Sequence, residues 1–251
     1  MEQSSTSTRL TGAVQDLASE VVSALRSGDH PGAVRGVGTT GADELALAAV
    51  RVLGADALLP SILFRRPPDP ADLALFQRAV LVFPPGAGGS PASMASAWSH
   101  WAMRRTLLRL GASGAPLDGA PAGGTEPDAR GLEGATWQSF THQLALLAAL
   151  AVPGTDCAVA RLAKQRPVDV ARGFVRAVRR RDWLQAAGAG RWLMVLDGVP
   201  ETLGLDTGLE FVAQMGGDDP RVALQLHAAQ TLRFMTDTAG TAGTAGAGAL
   251  A

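Results

Sequence analysis

The chain has 251 residues, of which 47% are hydrophobic and 18% charged, and its formal net charge is −1. This composition predicts one sizeable core in one domain or at most two, and the charge balance gives no basis for nucleic acid or an anionic membrane as a partner. The polar N-terminus has no apolar segment behind it and no uncharged apolar run reaches roughly 18 residues, which predicts a cytoplasmic protein without a membrane partner.

Helical periodicity runs through most of the chain and predicts the order of its elements. Residues 1–40 are expected to form an N-terminal extension with one helix, and residues 41–235 the main domain. Residues 111–135, rich in Pro, Gly and Ala, are expected to be a loop-rich insertion, and the low-complexity residues 236–251 a disordered tail. The predicted helices of the main domain are 44–53, 70–78, one that ends before Gly111, 138–152, 156–164, 168–187 and 220–234.

Two short apolar runs interrupt this helical pattern. They cover Ala79 to Phe83 and Trp192 to Leu196, and neither alternates with polar residues. Apolar continuity without alternation is typical of strands that are buried on both faces of a parallel sheet. The runs therefore predict an α/β fold, mostly helical with a small parallel sheet. The alternative is an all-α helical array in which both runs are helix or core segments.

A glycine-rich loop follows the first of these runs and precedes a predicted helix. Strand, glycine loop and helix form the layout of a phosphate cradle, in which backbone N–H groups and the helix N-terminus face an anion. The candidate cofactor-binding residues are Gly86, Gly88, Gly89 and Ser90. Ser90 and Asp197, which closes the second apolar run, are candidate magnesium ligands if a nucleotide binds. The alternative is an ordinary Gly/Pro turn beside an ordinary core strand.

The segment from about residue 65 to 201 resembles the nucleotide-binding region of actinobacterial P-loop NTPases of the STAND and AAA type. The likeness rests on the two prolines, the glycines and the final hydroxyl of Pro84 to Ser90, and on the run ending at Asp197, which resembles a Walker B strand. Two positions depart from the family pattern. Phe83 replaces its first glycine, and Gly89 stands where the family has Lys or Arg, so the loop is a degenerate one.

The resemblance implies a degenerate nucleotide-binding fold with ATP or GTP and magnesium as its ligands. Because no basic residue stands at Gly89, the transferring phosphoryl group lacks a local cation, and we expect little or no NTP hydrolysis and no catalytic residue. The expected function is a regulatory or scaffold module with a protein partner or self-association. The alternatives are an all-helical protein–protein interaction protein and, as a minor one, an active NTP-binding protein.

Three other features are interpreted as structural. Two segments, 66–71 and 166–171, share the pattern R-P-x-D-x-A, and F-x-R-A-V follows each, which suggests two similar helical units. The basic run of Arg176, Arg179, Arg180 and Arg181 is interpreted as a solvated helix end rather than a nucleic-acid patch. Cys157, in an apolar context, is predicted to be a buried small hydrophobe.

Overall fold

The computed structural model describes residues 2–28, 40–86, 90–111 and 124–247. Within these ranges the chain forms twelve α-helices and three short 3-10 helices. The α-helices are α1 (Glu2–Ser27), α2 (Thr40–Leu53), α3 (Leu59–Leu63), α4 (Pro70–Val82), α5 (Pro91–Arg109), α6 (Arg130–Glu133), α7 (Trp137–Leu146), α8 (Ala158–Gln165), α9 (Pro167–Arg179), α10 (Trp183–Leu193), α11 (Leu205–Gly216) and α12 (Pro220–Ala247). The 3-10 helices are Gly54–Leu58, Ala148–Leu150 and Glu201–Leu203.

The predicted parallel sheet is wrong, because the described ranges contain no β-strand; the alternative of an all-α helical array is confirmed. The first apolar run is the last turn of α4, a helix that Asp69 caps by accepting a hydrogen bond from the backbone N–H of Ala71. Val80 is buried, whereas Leu81 and Val82 are 59% and 54% exposed. The run is therefore buried on one side only, as on a helix, and lacks the two-sided burial that a central strand requires.

The second predicted strand, Trp192 to Leu196, is the end of α10 and the turn after it. Asp182 caps α10 by accepting a hydrogen bond from the backbone N–H of Gln185. Every residue from Ala186 to Leu193 is buried. A helix that is surrounded on all sides shows no apolar periodicity, so a short window of its sequence does not distinguish it from a buried strand.

Helix α10 lies at the centre of the fold and packs against α7, α9, α11 and α12. Its small residues let the neighbouring helices approach closely. A Cβ atom at Gly188 would lie 2.9 Å from the carbonyl oxygen of Ala145 on α7, and one at Gly190 would lie 2.5 Å from Cδ2 of Leu209 on α11. Glycine is therefore required at Gly188, where the contact is with backbone, whereas at Gly190 the side chain of Leu209 would have to shift. The largest apolar core cluster forms around these crossings.

The N-terminal helix α1 belongs to the core. It packs against α2 and α12, and its buried apolar residues join two core clusters, one shared with α2, α4 and α5 and the other with α3 and α12. Its buried residues are Val14, Leu17, Ala18, Val21, Ala24 and Leu25. The segment that the sequence marks as an extension thus closes one side of the helical array.

Other segments also differ in detail from their sequence-based description. Within residues 111–135, the structure describes 124–135 and contains α6, whose Leu132 is fully buried. Helix α12 extends through Ala247 and so includes most of the low-complexity tail. The stretch Asp43–Leu63 is long and apolar enough to cross a membrane, but 61% of its most apolar window is buried inside the protein, which is the situation of a core helix.

The two R-P-x-D-x-A segments begin helices in different ways. Asp69 is the N-cap that precedes Pro70 in α4, whereas Asp169 lies inside the first turn of α9 and accepts a hydrogen bond from Arg166 at 2.8 Å. The aromatic residues of the two F-x-R-A-V strings, Phe76 and Phe174, are both buried. The repeated pattern therefore gives each helix a buried aromatic anchor without giving both the same N-terminus.

Candidate functional site

The glycine loop that was predicted to bind phosphate connects two helices, α4 and α5. Gly86 is exposed on this connection, and Gly88 and Gly89 lie outside the described residues. Ser90 is the N-cap of α5, where its hydroxyl oxygen accepts a hydrogen bond from the backbone N–H of Ser93 at 3.2 Å. Capping is the usual reason for serine at this position, and it accounts for this side chain.

Asp197, the second predicted magnesium ligand, is exposed on the bend that follows α10. In a P-loop protein, parallel strands bring such a carboxylate and the loop hydroxyl to one edge of a sheet. Ser90 and Asp197 follow helices here, so that arrangement is missing. Across the part of the chain that the structure describes, no group of three or more His, Cys, Asp or Glu side chains could hold a metal ion.

The prediction for Cys157 is confirmed, because the residue is a free cysteine with no exposed surface. Burial raises the pKa of its thiol, which favours the protonated and unreactive form. Its position before α8 gives it a packing role in the largest core cluster.

A buried polar network that the sequence reading missed joins three distant parts of the chain. One guanidinium nitrogen of Arg191, Nη1, donates to both carboxylate oxygens of Asp56 at 2.8 and 2.9 Å and to Oε1 of Gln225 at 2.8 Å. Gln225 in turn donates from Nε2 to Asp56 Oδ2 at 2.8 Å. The network links the 3-10 helix Gly54–Leu58, α10 and α12.

Both charges of this network are removed from water. Arg191 is fully buried and Asp56 is 3% exposed, while Arg191 Nη2 is buried and has no hydrogen-bond partner in the part of the chain that the structure describes. Each is the single charge of an otherwise apolar segment, residues 53–64 and 183–196. That pattern of one carboxylate and one guanidinium in two core segments is the signal that could have predicted their pairing.

A surface groove of about 600 Å³ runs along the exposed side of α9, and we call it the α9 groove. Residues from α7 and from the Pro200–Leu203 segment complete its walls. Its lining residues are Trp137, Val168, Ala171, Arg172, Val175, Arg176, Arg179, Arg180, Pro200, Thr202 and Leu203. Arginines three to four positions apart share one face of a helix. Arg172, Arg176 and Arg179 therefore form a stripe along α9 beside apolar side chains, and Arg180 follows at the end of the helix.

The charges of the α9 groove are mostly uncompensated. Arg172 lies 3.6 Å from a carboxylate oxygen of Asp169, and the Arg176 guanidinium lies 5.8 Å from the ring centre of Trp137. Arg179 and Arg180 form no side-chain hydrogen bond or ion pair with the residues that the structure describes. Among the described residues, no carboxylate lines the groove.

The apolar part of the α9 groove is partly open to solvent. Val168 is 46% exposed, and Trp137, Val175 and Leu203 are half-buried. The sequence singles out the basic run on α9, but it does not place Trp137 and Leu203 beside that run, because they come from other elements.

Comparison of the chain with protein-family models, curated proteins and solved structures found no match in any of the three.

Proposed function

We propose that this protein is an all-helical interaction module whose α9 groove binds an acidic, amphipathic segment of a partner protein. One observation carries the proposal: four arginines and several partly exposed apolar side chains line a single groove to which no carboxylate of the described residues contributes. The sequence led us to expect a regulatory or scaffold module with a protein partner, and a groove for a protein segment agrees with that expectation. The nucleotide-binding fold that accompanied the expectation is replaced by an all-helical one.

The groove offers both types of contact that an amphipathic helix makes. Val168, Val175 and Leu203 provide apolar surface for side chains at positions i, i+3 or i+4, and i+7 of such a helix. The planar guanidinium groups of Arg176 and Arg179 suit carboxylates, which they can bind with two parallel hydrogen bonds. Apolar contact supplies affinity, and the arginines select an acidic partner over a basic or neutral one.

The apolar walls favour a protein partner over a nucleic acid. Non-specific binding to nucleic acid is dominated by phosphate contacts from Lys and Arg, and exposed aliphatic side chains add little to those contacts. Val168 and Leu203 would stay in water against a phosphate backbone, whereas leucines of a bound helix would cover them. The net charge of −1 also gives the protein no general attraction to a polyanion.

The test measures binding of a fluorescent peptide of about 16 residues, with Leu at helical spacing and Glu between, at about 150 mM salt. Anisotropy titration compares the wild type with Arg176→Glu/Arg179→Glu. We expect the double reversal to weaken binding by about 10-fold or more, since two attractive contacts become repulsive. The matched control is Arg9→Glu/Arg78→Glu, which makes the same charge change at two exposed arginines of α1 and α4 and should leave binding unchanged.

A second peptide, with Gln in place of every Glu, measures the apolar contribution alone and should bind more weakly than the acidic peptide. Two outcomes would overturn the proposal. One is equal binding of the acidic peptide to the wild type and the groove variant. The other is tighter binding of a DNA duplex of about 20 base pairs than of the acidic peptide under the same conditions, because phosphates would then be the better ligand.

A further inference from the structure

A second group of arginines lies around the C-terminal end of α5, outside the α9 groove. A cavity of about 590 Å³ opens there between α5, the bend after α3 and the turn at Val152. Its basic side chains are Arg65, Arg66 and Arg109, and its apolar wall includes Ile62, Val152 and Met235. Cavities of this size are typical of small-molecule binding sites.

A smaller void of about 30 Å³ lies beside this cavity. The walls of the two share Ile62, Arg109 and Val152, and the smaller adds Trp101 and Arg105. The Arg105 guanidinium lies 5.4 Å from the ring centre of Trp101. The two linings together place four guanidinium groups around this end of α5, and we call Arg65, Arg66, Arg105 and Arg109 the α5 arginine cluster.

The α5 arginine cluster has no counter-charge. None of its members forms an ion pair with the residues that the structure describes, and no carboxylate lines either cavity. Arg109 Nη2 donates to the hydroxyl of Thr155 at 3.0 Å, and Arg66 donates to the backbone carbonyl of Gly28, so both acceptors are neutral. Burial, and next the charge of Arg105, lower the pKa of Arg109.

One further feature beside the site points to a missing acceptor. The indole N–H of Trp101 is buried and has no hydrogen-bond partner among the described residues, although buried donors in proteins are nearly always satisfied. Arg65 has a backbone φ of 53° because it follows the C-cap of α3, where the backbone N–H of Arg66 donates to the carbonyl of Ser61 at 3.1 Å. This helix end places Arg65 in the wall of the cavity.

We propose that the larger of these cavities binds an organic polyanion. Its phosphate or carboxylate groups are held by the α5 arginine cluster, and its apolar part lies against Ile62, Val152 and Met235. Oxyanions accept hydrogen bonds from every donor that the site offers, and guanidinium groups bind both phosphate and carboxylate with matched geometry. This is a small-molecule site, distinct from the peptide groove on α9.

The test is isothermal titration calorimetry with three probes: inorganic pyrophosphate, ADP and citrate, at constant ionic strength. Arg65→Gly removes one guanidinium and places glycine where φ is positive, so the fold is expected to keep or gain stability. Arg109→Gln removes a second one and keeps a donor for Thr155. We expect each substitution to weaken the best probe by about 10-fold or more, as for the loss of a charge-assisted contact.

The matched control is Arg9→Gln/Arg78→Gln, at two exposed arginines of α1 and α4 that line neither site, which should leave the titration unchanged. Preference for pyrophosphate or ADP assigns phosphate as the recognised group, and preference for citrate assigns carboxylates; both support the site. The proposal is overturned if none of the three probes binds the wild type at millimolar concentration. It is also overturned if the control loses as much affinity as Arg65→Gly, because binding would then follow net charge alone.

Discussion

Arg191 makes the most consequential polar contacts of any residue in the core. Its guanidinium donates to both oxygens of Asp56, with both charges buried, and to the side-chain carbonyl of Gln225, which is half-buried. A buried pair of this kind gains little net stability, because desolvation of the two charges offsets their attraction. Removing one partner, however, leaves the other charge buried and unpaired.

The first prediction concerns this pair. Arg191→Met is expected to lower the free energy of unfolding by about 3–5 kcal/mol, because Asp56 keeps its buried carboxylate without a counter-charge. The double variant Asp56→Leu/Arg191→Met should recover most of that loss, since apolar residues replace both charges. Urea denaturation of the wild type and both variants measures the difference. A double variant no more stable than the single one would contradict this account of the network.

The arginines illustrate how position changes the role of one residue type. Arg166 pairs with Asp169 at 2.8 Å and lies 4.2 Å from the ring centre of Phe140, so it is held in place by its neighbours. Arg179 and Arg65 instead line open cavities whose described walls include no carboxylate. The positive charges of Arg179 and Arg65 can therefore pair with an anionic ligand. For this reason both binding proposals rest on arginines of this kind.

Among the elements, α10 depends most on residue size. Its buried segment from Ala186 to Gly190 contains only alanine and glycine, and four neighbouring helices pack around it. Small side chains let helix axes approach closely, and larger ones would force the neighbours apart. The intrinsic helix propensity of glycine is poor, so its presence in α10 reflects packing and not local preference.

The second prediction separates packing from propensity with one substitution at two sites. Gly188→Ala is expected to destabilise the protein by about 1–3 kcal/mol, because the added Cβ collides with the backbone carbonyl of Ala145. Gly12→Ala in α1 is the matched control, since a Cβ there meets no atom within 4 Å. It should stabilise the protein by about 0.5–1 kcal/mol through helix propensity alone.

Thermal and urea unfolding of the two variants, followed by circular dichroism, checks this pair of expectations. The two substitutions are expected to change the free energy of unfolding in opposite directions. If Gly188→Ala stabilised the protein as much as Gly12→Ala does, α7 would not approach α10 closely at Gly188, and this account of the crossing would be wrong.

At the scale of the whole molecule, α1 and α12 hold the array together. They pack against each other, and the cluster around them also contains α3, while α1 reaches α2 and α4 through a second cluster. A helix placed in this way cannot detach without exposing two parts of the core. Each fully buried Val or Leu contributes about 1.5–3 kcal/mol, and typical domain stability is about 5–15 kcal/mol.

The third prediction follows from that comparison. Deleting residues 1–28 removes four buried large side chains of α1, Val14, Leu17, Val21 and Leu25, and should abolish cooperative thermal unfolding. Deleting only residues 2–9 is the control and should change the melting temperature little, because the side chains described in that stretch, Thr6 to Arg9, are exposed. Circular dichroism melts measure both. Unchanged cooperative melting after the longer deletion would make residues 1–40 a separable extension.

The sequence by itself determined the local features of this protein. Helical periodicity predicts helices that overlap α1, α2, α4, α5, α7, α8, α9 and α12, and the apolar context of Cys157 predicts its burial. These features rest on residues a few positions apart, which is the range over which propensity, capping and periodicity act. The basic run on α9 was likewise visible, because its arginines are neighbours on one helix.

Only the tertiary structure decided how the two apolar runs are used and what surrounds the charges. Ala79 to Phe83 and Trp192 to Leu196 are apolar enough for either strand or helix, and it is packing against other helices that makes them part of α4 and α10. Asp56 and Arg191 stand 135 positions apart. Their pairing, like the meeting of Trp137 and Leu203 with the arginines of α9, depends on how whole helices pack, which no short window of sequence contains.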